Sequence, residues 1–346
     1  MKKLLLCLVL FCTLSFPASA TTIEAPEPPK KVESMLSGEP ENFSDGLQYV
    51  IGVALEKLAP NLAECVRICL SLLATILILS LLKTYQGKSK ALVDLGGVIA
   101  VGCLLLENTH SLVRLGTETV TELSEYGKLL IPVMTTALAA QGGSASAAAL
   151  YAATAFFNSL LTGVITHILV PGIYIYLALS VMNAAIGDAL MKKLRDFIKW
   201  ILSWGLKVIL YAFTGYVTIT GVVSGTTDQM ALKAAKAAFG GMIPVVGGIL
   251  SDASETILVS VAVMKNSVGI YGMLVLIAIL IGPLLKIGAQ YLTLKLTTAV
   301  CGIFSDKTMT ELVDDFSTAM GFLLAMTGTT CVLLLISVVC FLRGMG

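Results

Sequence analysis

The sequence is poor in charged residues and contains only two histidines. Charged side chains make up 13% of its 346 residues and apolar side chains 56%, and the mean hydropathy is +0.90. A soluble globular protein of this composition would expose a large apolar surface, so we expect a lipid bilayer as its surroundings. The net charge of +1 and the scattered basic residues exclude an extended polyanion-binding surface. Nucleic acid is therefore not an expected partner.

The sequence also lacks the usual signatures of enzymes and nucleotide-binding proteins. Gly87-Lys88-Ser89 resembles the end of a phosphate-binding loop, but Leu82 occupies the position where that motif requires its first glycine. Neither a His-Glu-x-x-His motif nor a Gly-x-Ser-x-Gly elbow is present, and the cysteines have no zinc-ligand spacing. We therefore predict no catalytic residue, no metal site and no cofactor.

The first 20 residues have the pattern of a secretory signal peptide. Lys2 and Lys3 precede an apolar run over residues 4–16, and Ala18-Ser19-Ala20 forms a small-residue cleavage site. The alternative is an uncleaved membrane anchor, for which the run is shorter than the roughly 20 residues that a spanning helix needs. We predict cleavage after Ala20 and export of the segment that follows.

Residues 21–60 form a second, more polar region. It contains Ala25-Pro26-Glu27-Pro28-Pro29 and six acidic residues within the first 25 positions, a composition that disfavours a packed core. We predict a solvated extracytoplasmic arm that ends in a short interfacial helix over residues 47–58. Residues 61–346 then form a multispan helical membrane domain.

The charges between apolar runs predict how the chain is oriented. Residues 62–82 are long enough to span, and Lys83, Lys88 and Lys90 follow them without an acidic residue, which indicates a cytoplasmic loop. Residues 92–106 form a second apolar run, and the acidic stretch 107–125 then predicts an outer loop. The apolar runs 269–285 and 292–304, on either side of Lys286, predict two further crossings.

Prolines and glycines interrupt the apolar stretch 129–182. Pro132, Gly142-Gly143-Ser144 and Pro171 predict several short or discontinuous helices there. The predicted fold class is therefore all-α, a polytopic transmembrane helical bundle with discontinuous helices behind a cleaved signal peptide. We count six to eight crossings and predict a cytoplasmic C-terminus next to Arg343.

A basic amphipathic helix is predicted over residues 190–201. Apolar residues form one face, and the other face is basic, comprising Lys192, Lys193, Arg195 and Lys199. Such a helix is typical of the cytoplasmic surface of a membrane. The lipid bilayer is thus a predicted partner of these four side chains.

The two histidines are candidates for proton transfer, because ionisable groups at membrane depth are often functional. His110 adjoins the predicted outer loop, and His167 lies in an apolar stretch shortly before Pro171. The simpler interpretation of His167 is a hydrogen bond to a neighbouring helix. Neither histidine by itself predicts a mechanism.

The most unusual local feature is a glycine-rich segment interrupted by one proline. Its members are Gly240, Gly241, Pro244, Gly247 and Gly248. If the segment is helical, glycines seven apart share a face on which another helix can pack closely. Alternatively, Pro244 ends the helix and the segment forms a re-entrant turn that lines a pore.

The stretch from Ser224 to Thr256, which contains these glycines, resembles the stage III sporulation protein AE family. The resemblance implies a spore-forming bacterium and a multi-pass protein of the mother-cell membrane around the engulfed forespore. It implies a component of a secretion-like or feeding channel between the two cells. The implied partners are other stage III sporulation membrane proteins and a separate cytosolic ATPase, and no catalytic residue is implied.

Two other functions remain open on the residues alone. A small-solute secondary transporter is favoured by broken helices, although the two halves show no repeat and no pair of buried carboxylates is evident. An intramembrane enzyme would need polar residues on facing helices, which the sequence does not indicate.

Overall fold

A computed structural model describes residues 25–33, 35–36, 43–56, 58–85, 90–140, 144–219 and 267–344. Every regular element in these ranges is helical, which confirms the predicted all-α class. The predicted signal peptide and the segment with Gly240, Gly241, Pro244, Gly247 and Gly248 lie outside the described residues, so both stay predictions.

The described chain forms nine helices and one π-helical turn. Two short helices belong to the arm, α1 (Lys30–Glu33) and α2 (Phe43–Glu56). The long helices are α3 (Leu58–Tyr85), α4 (Lys90–Ala140), α5 (Ser144–Val164), α6 (Val170–Ile186), α7 (Ala189–Ile219), α8 (Ser267–Phe304) and α9 (Lys307–Gly344). The π-helical turn Ile165–Leu169 joins α5 directly to α6.

Six helical segments are long and apolar enough to cross a bilayer. They are Pro60–Lys83, Val93–Ala140, Ala147–Ile186, Ala189–Tyr216, Val268–Phe304 and Lys307–Gly344. Each exceeds the roughly 20 residues needed to span the hydrocarbon layer. The protein is therefore a multi-pass membrane protein, and the described residues supply the lower limit of the predicted count.

Successive long helices run in opposite directions. Helix α4 and the joined α5–α6 helix are antiparallel. Along their length Gly102 lies beside Val181, His110 beside Tyr174, and Ser124 beside Asn158. The same arrangement relates α8 to α9, where Lys295 pairs with Asp314 across their short connection. When α5 and α6 are counted as one helix, three long helices run in one direction and three in the other.

Helix α9 lies at the centre of this bundle and contacts α4, α5, α6, α7 and α8. In its most apolar stretch 78% of the residues are buried, against 22% in α3. No charged residue occurs between Phe316 and Leu342, so the whole circumference of this part can pack against other helices. Helix α3 exposes its leucines and lies at the periphery.

The helices are more continuous than the sequence predicts. Helix α4 runs without a break through the predicted outer loop 107–125 and through Pro132, and α8 runs through Lys286 and Pro283 as one helix. Pro132 is exposed, so the carbonyl oxygen that it leaves without a helical donor is at the surface rather than in the core. The interruptions predicted at 107–125, at Pro132 and at Lys286 were wrong.

The break predicted at Pro171 takes a milder form. The π-helical turn Ile165–Leu169 directly precedes it, and the helix continues to Ile186. A wider turn relieves the clash between a proline ring and the preceding turn of helix. The chain accommodates Pro171 by a local change of pitch instead of ending the helix.

The arm was predicted to be solvated, but its described part packs against the bundle. Phe43, Val50 and Ala54 in α2 are buried at helical spacing, and α2 contacts α8. Lys31 forms an ion pair with Glu122 of α4, and the hydrogen bond that Lys31 donates to Glu122 raises the pKa of Lys31. A single apolar face of α2 is enough to dock an otherwise polar segment.

The bundle has two distinct ends. At the loop end, Lys83 near the end of α3 contacts Asp94 of α4 and Asp306 just before α9, and Lys192 near the start of α7 contacts Glu311 of α9. At the opposite end, α9 terminates beside the end of α4, because Gly344 lies against Leu138. We call this second end the C-terminal end.

This arrangement makes two of the predictions from the sequence incompatible. The basic residues Lys192 and Arg195 lie at the loop end, where both contact Glu311 of α9. The C-terminus lies at the other end, so a cytoplasmic basic helix and a cytoplasmic C-terminus cannot both be correct. The two predictions conflict because 269–285 and 292–304 were counted as two crossings, whereas the structure joins them in the single helix α8.

Candidate functional site: a buried ionic network

A buried carboxylate is the centre of the most polar cluster in the described bundle. Asp315 lies in the first turns of α9, and only 9% of its side chain is exposed. Nη1 of Arg195, on α7, lies 2.9 Å from its Oδ2, and the hydroxyl of Tyr176, on α6, donates to its Oδ1 at 2.7 Å. Three helices therefore meet at one carboxylate.

The guanidinium of Arg195 has further partners at the surface. Its Nη2 and Nε donate to Oδ1 of Asp196 at 2.9 and 3.1 Å, and Nη1 lies 3.8 Å from Oε2 of Glu311. The planar fork of arginine suits such simultaneous contacts better than the single ammonium of lysine. Arg195 thus connects the buried carboxylate with the exposed rim of the bundle.

Lysines extend the network to the neighbouring helices. Glu311 forms an ion pair with Lys192 of α7 at 3.7 Å, and Lys295 of α8 donates a hydrogen bond to Asp314 at 2.6 Å. Lys83 of α3 pairs with Asp94 of α4 at 2.6 Å and with Asp306, just before α9, at 2.5 Å. Every long helix that reaches the loop end contributes at least one of these groups.

The geometry favours a structural role for the central pair. Both carboxylate oxygens of Asp315 already accept hydrogen bonds, and the Arg195 side chain is 8% exposed. Removing one partner of such a pair leaves an uncompensated buried charge, at a typical cost of about 3–5 kcal/mol. The network therefore fixes α6, α7 and α9 to one another and leaves no oxygen of Asp315 free for a substrate.

The structure separates the four basic residues that the sequence placed on one face. Arg195 is buried in the network, whereas Lys192 and Lys193 are exposed and Lys199 is half-buried. Beside them α7 also exposes large apolar side chains, Leu190, Leu194, Phe197 and Trp200. Exposed lysines next to exposed apolar residues fit a membrane surface, but that role of Lys192, Lys193 and Lys199 stays a prediction.

The pair between Arg195 and Asp315 was not predicted. The two residues are 120 positions apart, and no local pattern indicates which charges pair across such a distance. The only indication in the sequence is that charged residues are rare, at 13% of the chain. A charged residue inside an apolar helix is usually paired with another charge.

The histidines occupy ordinary hydrogen-bonded positions. Nδ1 of His110 lies 2.9 Å from the hydroxyl of Tyr174, and Nδ1 of His167 lies 3.0 Å from the carbonyl oxygen of Gly163 in its own helix. His167 borders an open groove of about 430 Å³ whose walls are mostly apolar, including Phe156 and Ile168. Within the described ranges no His, Cys, Asp and Glu residues cluster as a metal site would require.

Six membrane-spanning segments held at one end by buried charge pairs define a multi-pass helical membrane protein. The family model described as Stage III sporulation protein AE matches residues 30–344. The chain therefore belongs to the stage III sporulation protein AE family, which confirms the resemblance seen in the sequence.

A curated relative supports the same assignment. Stage III sporulation protein AE from Bacillus subtilis (strain 168) is 29% identical over 197 residues, which is 57% of this chain. The matched stretch covers 49% of that relative, about half of its length. No solved structure matches the chain. Family membership implies a role in sporulation.

Proposed function

We propose that this chain is a membrane component of the channel complex that links the mother cell with the engulfed forespore and is needed for late forespore development. The family match over residues 30–344 carries this proposal. Six segments that can cross a bilayer support a location in a membrane between the two cells. We place the protein in the mother-cell membrane around the forespore.

Other stage III sporulation membrane proteins are the proposed partners, together with a separate cytosolic ATPase. The sequence gives a reason for a separate energy source, because Leu82 stands where a phosphate-binding loop needs a glycine. We propose that the chain itself is not an enzyme. The described polar cluster supports this, since its central carboxylate is fully engaged by Arg195 and Tyr176.

We also propose an orientation. The loop end carries exposed lysines, including Lys192, Lys193 and Lys307, so it should face the mother-cell cytoplasm under the positive-inside rule. The C-terminal end then faces the opposite side, and this replaces the cytoplasmic C-terminus predicted from the sequence. A reporter fused after Gly346 tests this: alkaline phosphatase should be active there, and active phosphatase after Lys88 instead would reverse the orientation.

Deletion of the gene in its host tests the proposed function. We expect normal vegetative growth, completed engulfment, and then arrest of forespore development with loss of a late forespore transcription reporter. A wild-type copy at a second locus should restore spores, which controls for effects on neighbouring genes.

Two results would contradict the proposal. Normal spore yield after deletion would exclude a required channel component. Normal spores together with a nutrient-specific growth defect would favour the small-solute transporter instead. Pull-down of the full-length protein from sporulating cells should recover an ATPase, and its absence would remove that partner from the proposal.

A further inference from the structure

Helix α5 carries three polar side chains on its buried face, which we call the α5 row: Thr154, Asn158 and Thr162. Thr154 is 0% exposed and Asn158 is 1% exposed. Thr162 is partly exposed, but its hydroxyl oxygen is buried. Because the three residues are four positions apart, they follow one another along one face of the helix. At Asn158 this face meets Ser124 of α4.

Each member of the α5 row has one buried oxygen without a hydrogen-bond partner among the described residues. These atoms are Oγ1 of Thr154, Oδ1 of Asn158 and Oγ1 of Thr162. The amide nitrogen of Asn158 is engaged, because it donates to Oγ of Ser124 at 3.2 Å and to the Ser124 carbonyl oxygen at 3.4 Å. Buried polar atoms are seldom left unpaired, and ordered water supplies the partner where the protein does not.

Other buried threonines of the bundle satisfy their hydroxyls within their own helix. Thr119 donates to the carbonyl oxygen of Leu115, and Thr330 donates to that of Met326. In the part of the chain that the structure describes, the hydroxyls of the α5 row form no such bond. They are therefore available to another group.

The spacing of the α5 row suits one water molecule in each of its two intervals. Cβ atoms four residues apart on a helix are about 5–6 Å apart. Two successive hydrogen bonds of about 2.8 Å through a water molecule span a similar distance. The side-chain oxygen of Asn158 has two lone pairs, so it can accept one hydrogen bond from each of two water molecules.

We infer that the α5 row is a binding site for two buried water molecules. One lies between Thr154 and Asn158, and the other lies between Asn158 and Thr162. Together with the bonds from Asn158 to Ser124, they make the contact between α4 and α5 a hydrated polar one at this position. The inference concerns the interior of the bundle and does not rest on the proposed sporulation function.

Water suits the α5 row better than a metal ion does. None of the three side chains carries a charge, so a bound cation would remain an uncompensated buried charge. The groups that usually hold metal ions, His, Cys, Asp and Glu, form no cluster within the described ranges. A water molecule is neutral and both donates and accepts, which matches two hydroxyls and one amide oxygen.

Thermal unfolding of the full-length protein in detergent tests the inference through Thr154→Val. Valine has nearly the shape of threonine but cannot bond to water. A dry site would lose an unpaired buried hydroxyl, so unfolding would be unchanged or shifted upward. At a hydrated site the water loses a partner, and we expect the midpoint to fall by about 2–4 °C.

Thr330→Val is the matched control, because Thr330 is also 0% exposed but bonds within its own helix. We expect the midpoint to fall further for Thr154→Val than for Thr330→Val. An unchanged or higher midpoint for Thr154→Val would overturn the inference. Equal losses in the two variants would assign the Thr154 hydroxyl to its own helix and would overturn it as well.

Hydroxyl-radical footprinting of the wild type detects the water directly and needs no substitution to fold. A millisecond X-ray pulse generates radicals from bound water, and they oxidise the side chains beside it. Leu161 lies three residues after Asn158, and Leu333 of α9 is equally buried at 0% exposed. We expect Leu161 to be oxidised at least five times faster than Leu333.

The double variant Thr154→Val with Thr162→Val removes both outer partners of the water molecules. In this variant the oxidation of Leu161 should fall to the rate of Leu333. Equal rates for the two leucines in the wild type would show a dry site and overturn the inference. Loss of the difference when sodium is replaced by choline would assign the site to a cation, which also overturns it.

Discussion

The ionic network at the loop end and the polar side chains on the outward face of α4 place charges in the same apolar bundle in opposite ways. We call the latter the polar stripe, which comprises Glu107, His110, Ser111, Arg114, Glu118, Glu125 and Lys128. In the network, Arg195 and Asp315 are less than 10% exposed and each has several partners. On the stripe, Glu107 and Glu125 are exposed, and neither forms an ion pair within the described residues. One set of charges is hidden and compensated, and the other is presented outward.

The difference indicates what each set is for. Buried, compensated charges hold helices in one arrangement, and their loss should cost folding free energy. Exposed charges contribute little to folding, because water screens them. Substitutions in the network should therefore cost far more stability than substitutions on the stripe.

The largest stability effect is expected from Asp315→Ala. It leaves Arg195 and the hydroxyl of Tyr176 without their buried acceptor, so we expect a loss of about 3–5 kcal/mol in the free energy of unfolding. Thermal or chemical unfolding in detergent measures this. The double variant Arg195→Met with Asp315→Leu removes both charges and should be clearly more stable than Asp315→Ala. If it is not, the pair is not the cause of the loss.

A smaller effect is expected from Tyr176→Phe. The hydroxyl donates to Asp315 at 2.7 Å, and hydrogen bonds to charged groups contribute roughly 1.5–3 kcal/mol. Tyr174→Phe is the matched control, because its hydroxyl meets the exposed His110 instead. Equal destabilisation by the two variants would contradict a special role for the buried bond.

The pair between Lys31 and Glu122 should have a still smaller and pH-dependent effect. The pKa of Lys31 is raised above the 10.5 of a free lysine, so the pair stabilises the docked arm at lower pH. That contribution should disappear as the pH rises through the raised pKa of Lys31. Hydrogen exchange of α1 in wild type and Lys31→Met should converge once the pH exceeds the raised pKa of Lys31; a difference that persists there would exclude charge as its origin.

The smallest stability effect is expected from Glu118→Gln on the stripe, whose side chain is 44% exposed. Thermal unfolding should match that of the wild type, because exposed ion pairs contribute little to stability. Glu64→Gln on α3 is a control carboxylate away from the stripe. A loss of stability as large as that of Asp315→Ala would reverse the contrast drawn above.

The sequence predicted the helical class, the first and last spans and the family. It succeeded for α3 and α9 because long uniform apolar runs have only one stable form in a bilayer. It failed at Pro132 because a proline is tolerated inside a helix when the carbonyl oxygen that it leaves without a helical donor lies at the surface. The local sequence does not reveal which side of the helix is at the surface.

The residues of the polar stripe were visible in the sequence but were assigned to a loop. The acidic stretch 107–125 alternates with apolar residues at helical period, and that period was the missed signal. The network was beyond prediction for a different reason, since the pairing of Tyr176, Arg195 and Asp315 depends on how three distant helices are arranged in space.

The length of α4 also sets how far the protein rises from the lipid. Its 51 residues correspond to about 77 Å, and even at a tilt of 40° the helix rises roughly 59 Å. A bilayer with its headgroups is about 40–45 Å thick. Part of the bundle therefore extends beyond the bilayer into water. A soluble protein can bind it there without entering the membrane.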